Sequence, residues 1–191
     1  MIKLQLFNAV RVAHQLITGR LATAQYIVDA TAGNGRDTLF LAQHSAAEAV
    51  ITAFDIQETA LTKTRQLLEK HRLAEKVHLI LDSHANIARH VTEPVDLAVF
   101  NLGYLPGGSH AISTHASSTL EAVQQLMELL GAGGIISLIA YPGYPEGLAE
   151  HSVLQEYFLR LAPNLITVSC WQMINHTGNP PVLYIIEKVR S

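Results

Sequence analysis

A chain of 191 residues with 49% hydrophobic content is long enough to bury roughly two thirds of its unfolded surface in one core, so no disulfide or metal staple is needed. No run approaches 18 uncharged apolar residues, and the opening Met1-Ile2-Lys3-Leu4-Gln5 lacks the apolar stretch of a signal peptide, which excludes a membrane span and predicts a cytoplasmic protein. The formal charge of -3 argues against a protein that coats nucleic acid.

In chain order, Leu4 to Ile17 predicts a helix, with Leu6, Val10, Ala13 and Ile17 at spacings of three and four, ended by Gly19. Tyr26 to Ala30 is an apolar strand with Asp29 at its carboxyl end, and Asp37 to His44 a helix burying Leu39, Phe40 and Ala42. Ala49 to Phe54 is a second strand, stopping at Asp55; Glu58 to His71 is a helix with Leu61, Leu67 and Leu68 on its apolar side. Val77 to Leu81 is a third strand, stopping at Asp82. A short helix over His84 to Val91 leads through Pro94 into a fourth strand, Val95 to Phe100, which stops at Asn101.

Tyr104 to Ser113 reads as a loop. Thr114 to Leu130 is a helix presenting Leu120, Val123, Met127 and Leu130, with Thr114 or Ser113 as its cap and Gly131, Gly133 and Gly134 at its end. Ile135 to Tyr141 is a fifth strand, broken at Pro142-Gly143-Tyr144-Pro145, and Gly147 to Leu161 the next helix. Leu165 to Trp171 and Val182 to Val189 are the last strands, joined through Asn175-His176-Thr177-Gly178-Asn179-Pro180-Pro181. The only cysteine, Cys170, lies in an apolar run and is expected in the core.

Strands and helices alternate, and the first five strands are apolar on both faces, as parallel strands covered by helices must be. The last two have no helix between them and should pair antiparallel. The expectation is an α/β fold in a single domain over residues 1–191, with residues 1–20 as a helix leading into it.

The run Val28-Asp29-Ala30-Thr31-Ala32-Gly33-Asn34-Gly35-Arg36-Asp37 joins a strand to a helix through a tight turn, the shape of a nucleotide-cofactor site. A dinucleotide site wants a third glycine, but Thr38 and Leu39 stand where it is due. Its absence counts against NAD and favours S-adenosyl-L-methionine, which has no pyrophosphate to cradle. The amino-acid end of that donor suits Asp29 and the glycine turn. Asp55 suits the two ribose hydroxyls, because each can donate to one carboxylate oxygen. Asp82 suits the adenine amine, with Ser83 or His84 adding a contact; each aspartate alone could instead cap a helix.

Asn101-Leu102-Gly103-Tyr104 follows the fourth strand. An Asn carbonyl can accept from an amine while leaving the amine lone pair free for a methyl sulfonium, and a tyrosine can stack on the substrate, so both point to N-methylation. An alkylamine must lose a proton before attack. His110 is the nearest acceptor in the chain, or else an exposed loop histidine. The segment Tyr104 to His110 could cover the site, and His176 with Asn175 could reach the same mouth. The ten histidines form no zinc signature, and no metal is expected. Two basic groups, Lys3, Arg11 and Arg20, and Lys63, Arg65, Lys70, Arg72 and Lys76, could follow a phosphate backbone or simply solvate helix faces.

The runs Asp29 to Thr38, Phe54-Asp55-Ile56-Gln57 and Phe100-Asn101-Leu102-Gly103-Tyr104-Leu105-Pro106-Gly107-Gly108 closely resemble a family of small bacterial class I methyltransferases. These were long labelled rRNA methylases and have since been identified as tRNA wobble-uridine methyltransferases. The resemblance spans nearly the whole chain. It implies a Rossmann-like seven-stranded sheet with the last strand reversed, S-adenosyl-L-methionine as donor, and a homodimer. The implied reaction converts 5-aminomethyl-2-thiouridine to its methylaminomethyl form in the tRNA anticodon arm. The Asp29 to Asp37 turn and Asp55 match the family's cofactor segment, and Asn101 to Gly108 its catalytic loop. Together with the residue readings above, Asp29, Thr31, Gly33, Asn34, Gly35, Asp37, Thr38, Asp55, Gln57, Asp82, Ser83, His84 and Asn101 are expected at the donor, Asn101, Tyr104 and His110 at the transfer, and Arg11, Tyr104, Pro106, Gly107, Gly108 and His176 at the acceptor. Where the family has a polar or charged residue this chain has Ser109 and His110, which leaves the proton acceptor unassigned. The rival readings are the same chemistry on ribosomal RNA or a small amine, an NAD-dependent oxidoreductase, and a noncatalytic RNA-binding module.

Overall fold

The computed structural model describes residues 8–103 and 114–189. Its first element is α1 (Ala9–Leu21), begun by Asn8, whose side chain accepts from the Arg11 amide. There follow β1 (Tyr26–Asp29), α2 (Arg36–His44), β2 (Val50–Asp55), α3 (Glu58–Lys70) and β3 (Val77–Leu81). The second half holds α4 (Ile87–His90), β4 (Val95–Asn101), α5 (Ala116–Leu129), β5 (Leu130–Ala140), α6 (Pro145–Leu159), β6 (Ile166–Gln172) and β7 (Val182–Lys188).

The strands form one seven-stranded sheet in the order β3-β2-β1-β4-β5-β7-β6. β1 to β5 run parallel, and β7 lies antiparallel between β5 and β6. This is the Rossmann-like class I methyltransferase sheet with its reversed last strand. Successive residues of the central strands face opposite helical layers: Ile27, Leu97 and Val99 pack with Ile17, Leu41 and Leu68 of α1 to α3, whereas Val28, Ala98 and Phe100 pack with Ile87, Val123, Leu126 and Leu154 of α4 to α6. Both faces are therefore apolar because both are covered.

The sheet's edges depart from that pattern. β3 exposes His78 and Leu81, and β6 exposes Cys170, which is not a core residue. An apolar run on an edge strand covered on one side resembles a central strand in composition, which is why Cys170 reads as buried from sequence. α1 continues through Gly19 to Leu21: a Cβ at Gly19 would meet nothing within 4 Å, so that glycine is an exposed interior position and not a stop. On α2 the buried face is Thr38, Leu41 and Ala42, with Leu39 and Phe40 only half-buried. α5 buries Thr119, Ala122, Val123 and Leu126, one step around from the stripe expected, and leaves Leu120 and Met127 at the margin. His84 to His90 is a 3-10 turn running into one α-helical turn.

Two lysines finish helices. Lys76 Nζ donates to Ala42 O in the last turn of α2 and to Ser45 O just past its end, and Lys188 Nζ to Leu130 O just past α5. Arg20 binds Asp96, whose other oxygen accepts from the Gln25 and Tyr26 amides, so the start of β1 is pinned to the start of β4. Arg20 and Lys76 are thus occupied in holding the fold together. Between β1 and β4 the strand order reverses, which opens a crevice at the carboxyl edge where open α/β sheets hold ligands. Among the described residues no helix is long and apolar enough to cross a membrane.

Candidate active site

At the carboxyl edge lies a cleft of about 1280 Å³, walled by the β1–α2 turn, the ends of β2, β3 and β4, the start of α5, the β5–α6 turn and residues Gly178 to Pro181. Gly33 and Gly35 adopt φ of 53° and 78°, left-handed values that favour glycine, and a Cβ at Gly35 would come within 2.9 Å of Thr64 on α3. The turn is tied on three sides. Ala32 N donates to Phe54 O, Gly33 N to Asp55 Oδ2 at 2.9 Å, and Thr64 Oγ1 to Gly33 O.

Asp29 sits beneath this turn, fully buried, accepting from Thr31 N at 3.1 Å and from Thr38 Oγ1 at 2.6 Å. Burial, helped by the charge of Asp37, pushes its carboxyl up to about 7 against those hydrogen bonds. Neither Asp29 nor the buried Thr38 reaches the cleft; together they fasten the turn from below. Thr38 stands where a dinucleotide site has its third glycine, and its hydroxyl ties α2 to the end of β1 through Asp29.

Thr31, Gly33, Asn34, Asp37, Asp55, Gln57, Asp82, Ser83, His84 and Asn101 all line the cleft. Asp55 spends one hydrogen bond per oxygen on the backbone, at Gly33 and Gln57, and keeps lone pairs free. Asp82 accepts from His90 Nε2, Asn86 Nδ2 and Ser83 N, and these bonds, His90's first, hold its carboxyl below the usual range. Burial pushes His84 down to about 4, so the ring is neutral at neutral pH, with Nδ1 placed 3.2 Å from Ala30 O to donate to it.

The end of β4 carries a side chain held at both ends of its amide. Asn101 Nδ2 donates to Asp37 Oδ2 at 3.0 Å, and Tyr141 donates to Asn101 Oδ1 at 2.8 Å. A carboxylate only accepts, which fixes the amide's orientation. Asp37 is itself bound through Oδ1 by His14 Nε2 at 2.8 Å, and the His14 ring stacks on Phe40 with centroids 3.6 Å apart. Burial and the charges of Asp37 and Tyr144 push the Tyr141 phenol up to about 12, so it stays a donor. Asn101 N donates to Thr31 Oγ1, locking the end of β4 to the cofactor turn.

Not every expected residue converges. His176 is exposed and off the cleft wall, though Gly178, Asn179, Pro180 and Pro181 of the same connection line it. Arg11 is exposed on the first turn of α1. Tyr104, Pro106, Gly107, Gly108, His110 and Ser113 lie outside the described residues. Thr114 does not cap α5; its hydroxyl binds Glu150, and the cap position falls to His115 with no side-chain bond. Because α3 runs away from the carboxyl edge, Lys70 and Arg72 near its end lie at the opposite side of the sheet, about 18 Å along the helix from the cleft. Among the described residues no three His, Cys, Asp or Glu are grouped to hold a metal ion.

Sequence reasoning missed His14, Tyr141, Tyr144, Arg36 and Glu150. Tyr141 could have been found, because it ends a parallel strand on the same edge as Asp29, Asp55 and Asn101. Glu150 also left a signal, since Gly147, Glu150, Leu154 and Phe158 occupy one buried face of α6. His14 meets Asp37 across 23 residues and has no local signature.

Residues 51–187 match the family described as "Putative rRNA methylase". The chain belongs to that family. It is 32% identical to the chloroplastic tRNA (mnm(5)s(2)U34)-methyltransferase of Arabidopsis thaliana over 95% of this chain and 70% of that protein. A Clostridium thermocellum chain described in the family's own words superposes with a TM-score of 0.93 at 36% identity, covering 99% of this chain and 100% of that one. A Streptococcus mutans protein described as "a putative methyltransferase", solved in complex with SAH, superposes at 0.87 with 36% identity, covering 99% and 100%. This member of the family is a class I methyltransferase dependent on S-adenosyl-L-methionine. Its cleft fits that donor: the described lining has four carboxylates, Asp37, Asp55, Asp82 and Glu146, against one arginine, Arg36. Such a surface suits a sulfonium with an ammonium group and opposes a pyrophosphate.

Proposed function

We propose that the chain methylates the exocyclic amine of 5-aminomethyl-2-thiouridine at the wobble position of tRNA, giving the methylaminomethyl form. The observation that carries this reading is the fixed amide of Asn101. Its Oδ1 takes one hydrogen bond from Tyr141, and a carbonyl oxygen accepts two. The remaining lone pair can take an amine N–H and leave the nitrogen lone pair free for the methyl group. Because Asp37 prevents the amide from turning over, the acceptor is oriented before substrate arrives. The tRNA substrate named for the Arabidopsis relative supports the same acceptor.

Within this reading, Asp55 takes the ribose hydroxyls, Asp82 and Ser83 the adenine, and Asp37 with the 33 to 35 turn the amino-acid end of the donor. Bound there, S-adenosyl-L-methionine supplies an activated methyl group, and no covalent enzyme intermediate is required. Gly103, Thr114, His115 and Ser118 form the acceptor side, with Tyr104 and the segment to His110 following directly from Gly103. A cleft of about 1280 Å³ exceeds what one small ligand fills, as a site for donor plus nucleotide must. A homodimer belongs to the same reading, and sedimentation of the purified chain tests it: a monomer at micromolar concentration removes it.

The test is methyl transfer from labelled S-adenosyl-L-methionine to tRNA lacking only the final methyl. Label in the wobble nucleoside supports the reading. Label in ribosomal RNA or free amines alone removes the tRNA substrate.

A further inference from the structure

Glu150 is the one carboxylate among the described residues that is buried yet absent from the cleft wall and from the turn beneath it, with only 1% of its surface exposed. It sits on the core face of α6, where its neighbours at the same face are Gly147, Leu154 and Phe158. Gly147 allows this approach, since a Cβ there would come 2.1 Å from Tyr141 O. Among the described residues Glu150 meets no lysine or arginine. Oε1 accepts from Thr119 Oγ1 at 2.5 Å and Oε2 from Thr114 Oγ1 at 2.9 Å. Burial raises its carboxyl, partly offset by the two hydroxyls and the charge of His115. A carboxylate desolvated for two hydroxyl bonds is a poor way to gain stability, because an apolar side chain of similar size would pack there without the desolvation cost.

What the arrangement does hold is the neck of the 104–113 segment. Thr114 N donates to Gly103 O at 3.0 Å, Gly103 N donates to Thr114 Oγ1 at 2.9 Å, and that same hydroxyl donates a hydrogen bond to Glu150 Oε2. Gly103 adopts φ of 111°, a value side chains rarely allow. Thr119 brings α5 to the other carboxylate oxygen, so one carboxylate sets both the neck and the helix carrying His115 and Ser118.

We propose that Glu150 is a positioning residue for the acceptor side of the cleft, acting through Thr114 to fix the spacing between Asn101 on β4 and the start of α5. This rests on the reading of the cleft as a methyl-transfer site. Glu150→Ala lowers kcat/KM for tRNA at least tenfold while the Kd for S-adenosylhomocysteine, measured by calorimetry, stays within threefold. Amide hydrogen exchange at Gly103 and Thr114 accelerates at least tenfold, with β1 and β2 unchanged. Glu150→Gln, which still accepts one hydroxyl, recovers more than half of the lost kcat/KM. Should Glu150→Ala fail to fold, Thr114→Val removes the bridging hydroxyl and produces the same local exchange at Gly103. Equal losses in donor affinity and acceptor turnover, or unchanged exchange at Gly103 in a folded variant, overturn the proposal. If the wild-type protein does not methylate tRNA, the acceptor reading fails, while the exchange measurement still judges the role of Glu150.

Discussion

Asp29 and His84 should cancel each other in the pH dependence of stability, and removing either exposes the other. Asp29 is raised from 3.8 to about 7 in the folded chain, which at about 1.4 kcal/mol per tenfold amounts to about 4 kcal/mol. The folded state holds that proton when the unfolded chain has lost it, so this stabilisation is complete below pH 3.8 and disappears as pH rises through about 7. His84 is lowered from 6.5 to about 4, worth about 3 kcal/mol with the opposite sign: its contribution is complete above pH 6.5 and disappears as pH falls through about 4. Urea unfolding of the wild type, Asp29→Asn and His84→Gln across this range reads the two contributions separately. Asp29→Asn should gain about 3 kcal/mol from pH 4 to 6.5 relative to its own acid value, and His84→Gln should lose about 4 kcal/mol from pH 4 to 7. Each variant minus wild type isolates one group. Differences independent of pH in both variants refute the assignment of a protonated Asp29 beneath the turn and a neutral His84 beside it.

Asp55→Ala should weaken S-adenosylhomocysteine binding by about tenfold or more, since it removes the carboxylate proposed to take the ribose hydroxyls and releases the Gly33 amide; an unchanged dissociation constant takes Asp55 out of the site. Tyr141→Phe frees the Asn101 carbonyl and should cost about tenfold in kcat, one hydrogen bond's worth, with donor affinity preserved. Parallel losses in both would assign Tyr141 to donor binding instead. Lys76→Met should lower stability by about 1 kcal/mol through the α2 carbonyls it now caps and leave RNA binding alone. Charge reversal at Arg36, which lines the cleft, should weaken RNA binding and flatten its salt dependence, whereas reversal at Lys70 or Arg72 should not.

The alternation of strand and helix, and the polar residue ending each parallel strand, carry most of the architecture in the sequence. Asp55, Asp82 and Asn101 reach the cleft because residues at that edge have no following strand to cover them. Asp29 ends its strand by the same rule yet faces down, because Thr38 on the next helix captures it. Composition cannot distinguish these outcomes. Charge clusters mislead in a similar way: Arg20 and Lys76 read as free cations, but each finds a partner 76 or about 30 residues away in sequence. The links His14–Asp37–Asn101–Tyr141 and Gly103–Thr114–Glu150 join residues from separate elements, so only the folded chain reveals them.

The acceptor assignment is tested most directly by mass spectrometry of nucleosides from tRNA carrying 5-aminomethyl-2-thiouridine, after incubation with the protein and S-adenosyl-L-methionine. The wobble nucleoside should gain one methyl group with wild-type protein and none with Asn101→Ala of normal donor affinity. An unmodified wobble nucleoside, with methyl groups found only in ribosomal RNA or in small amines, would contradict the account.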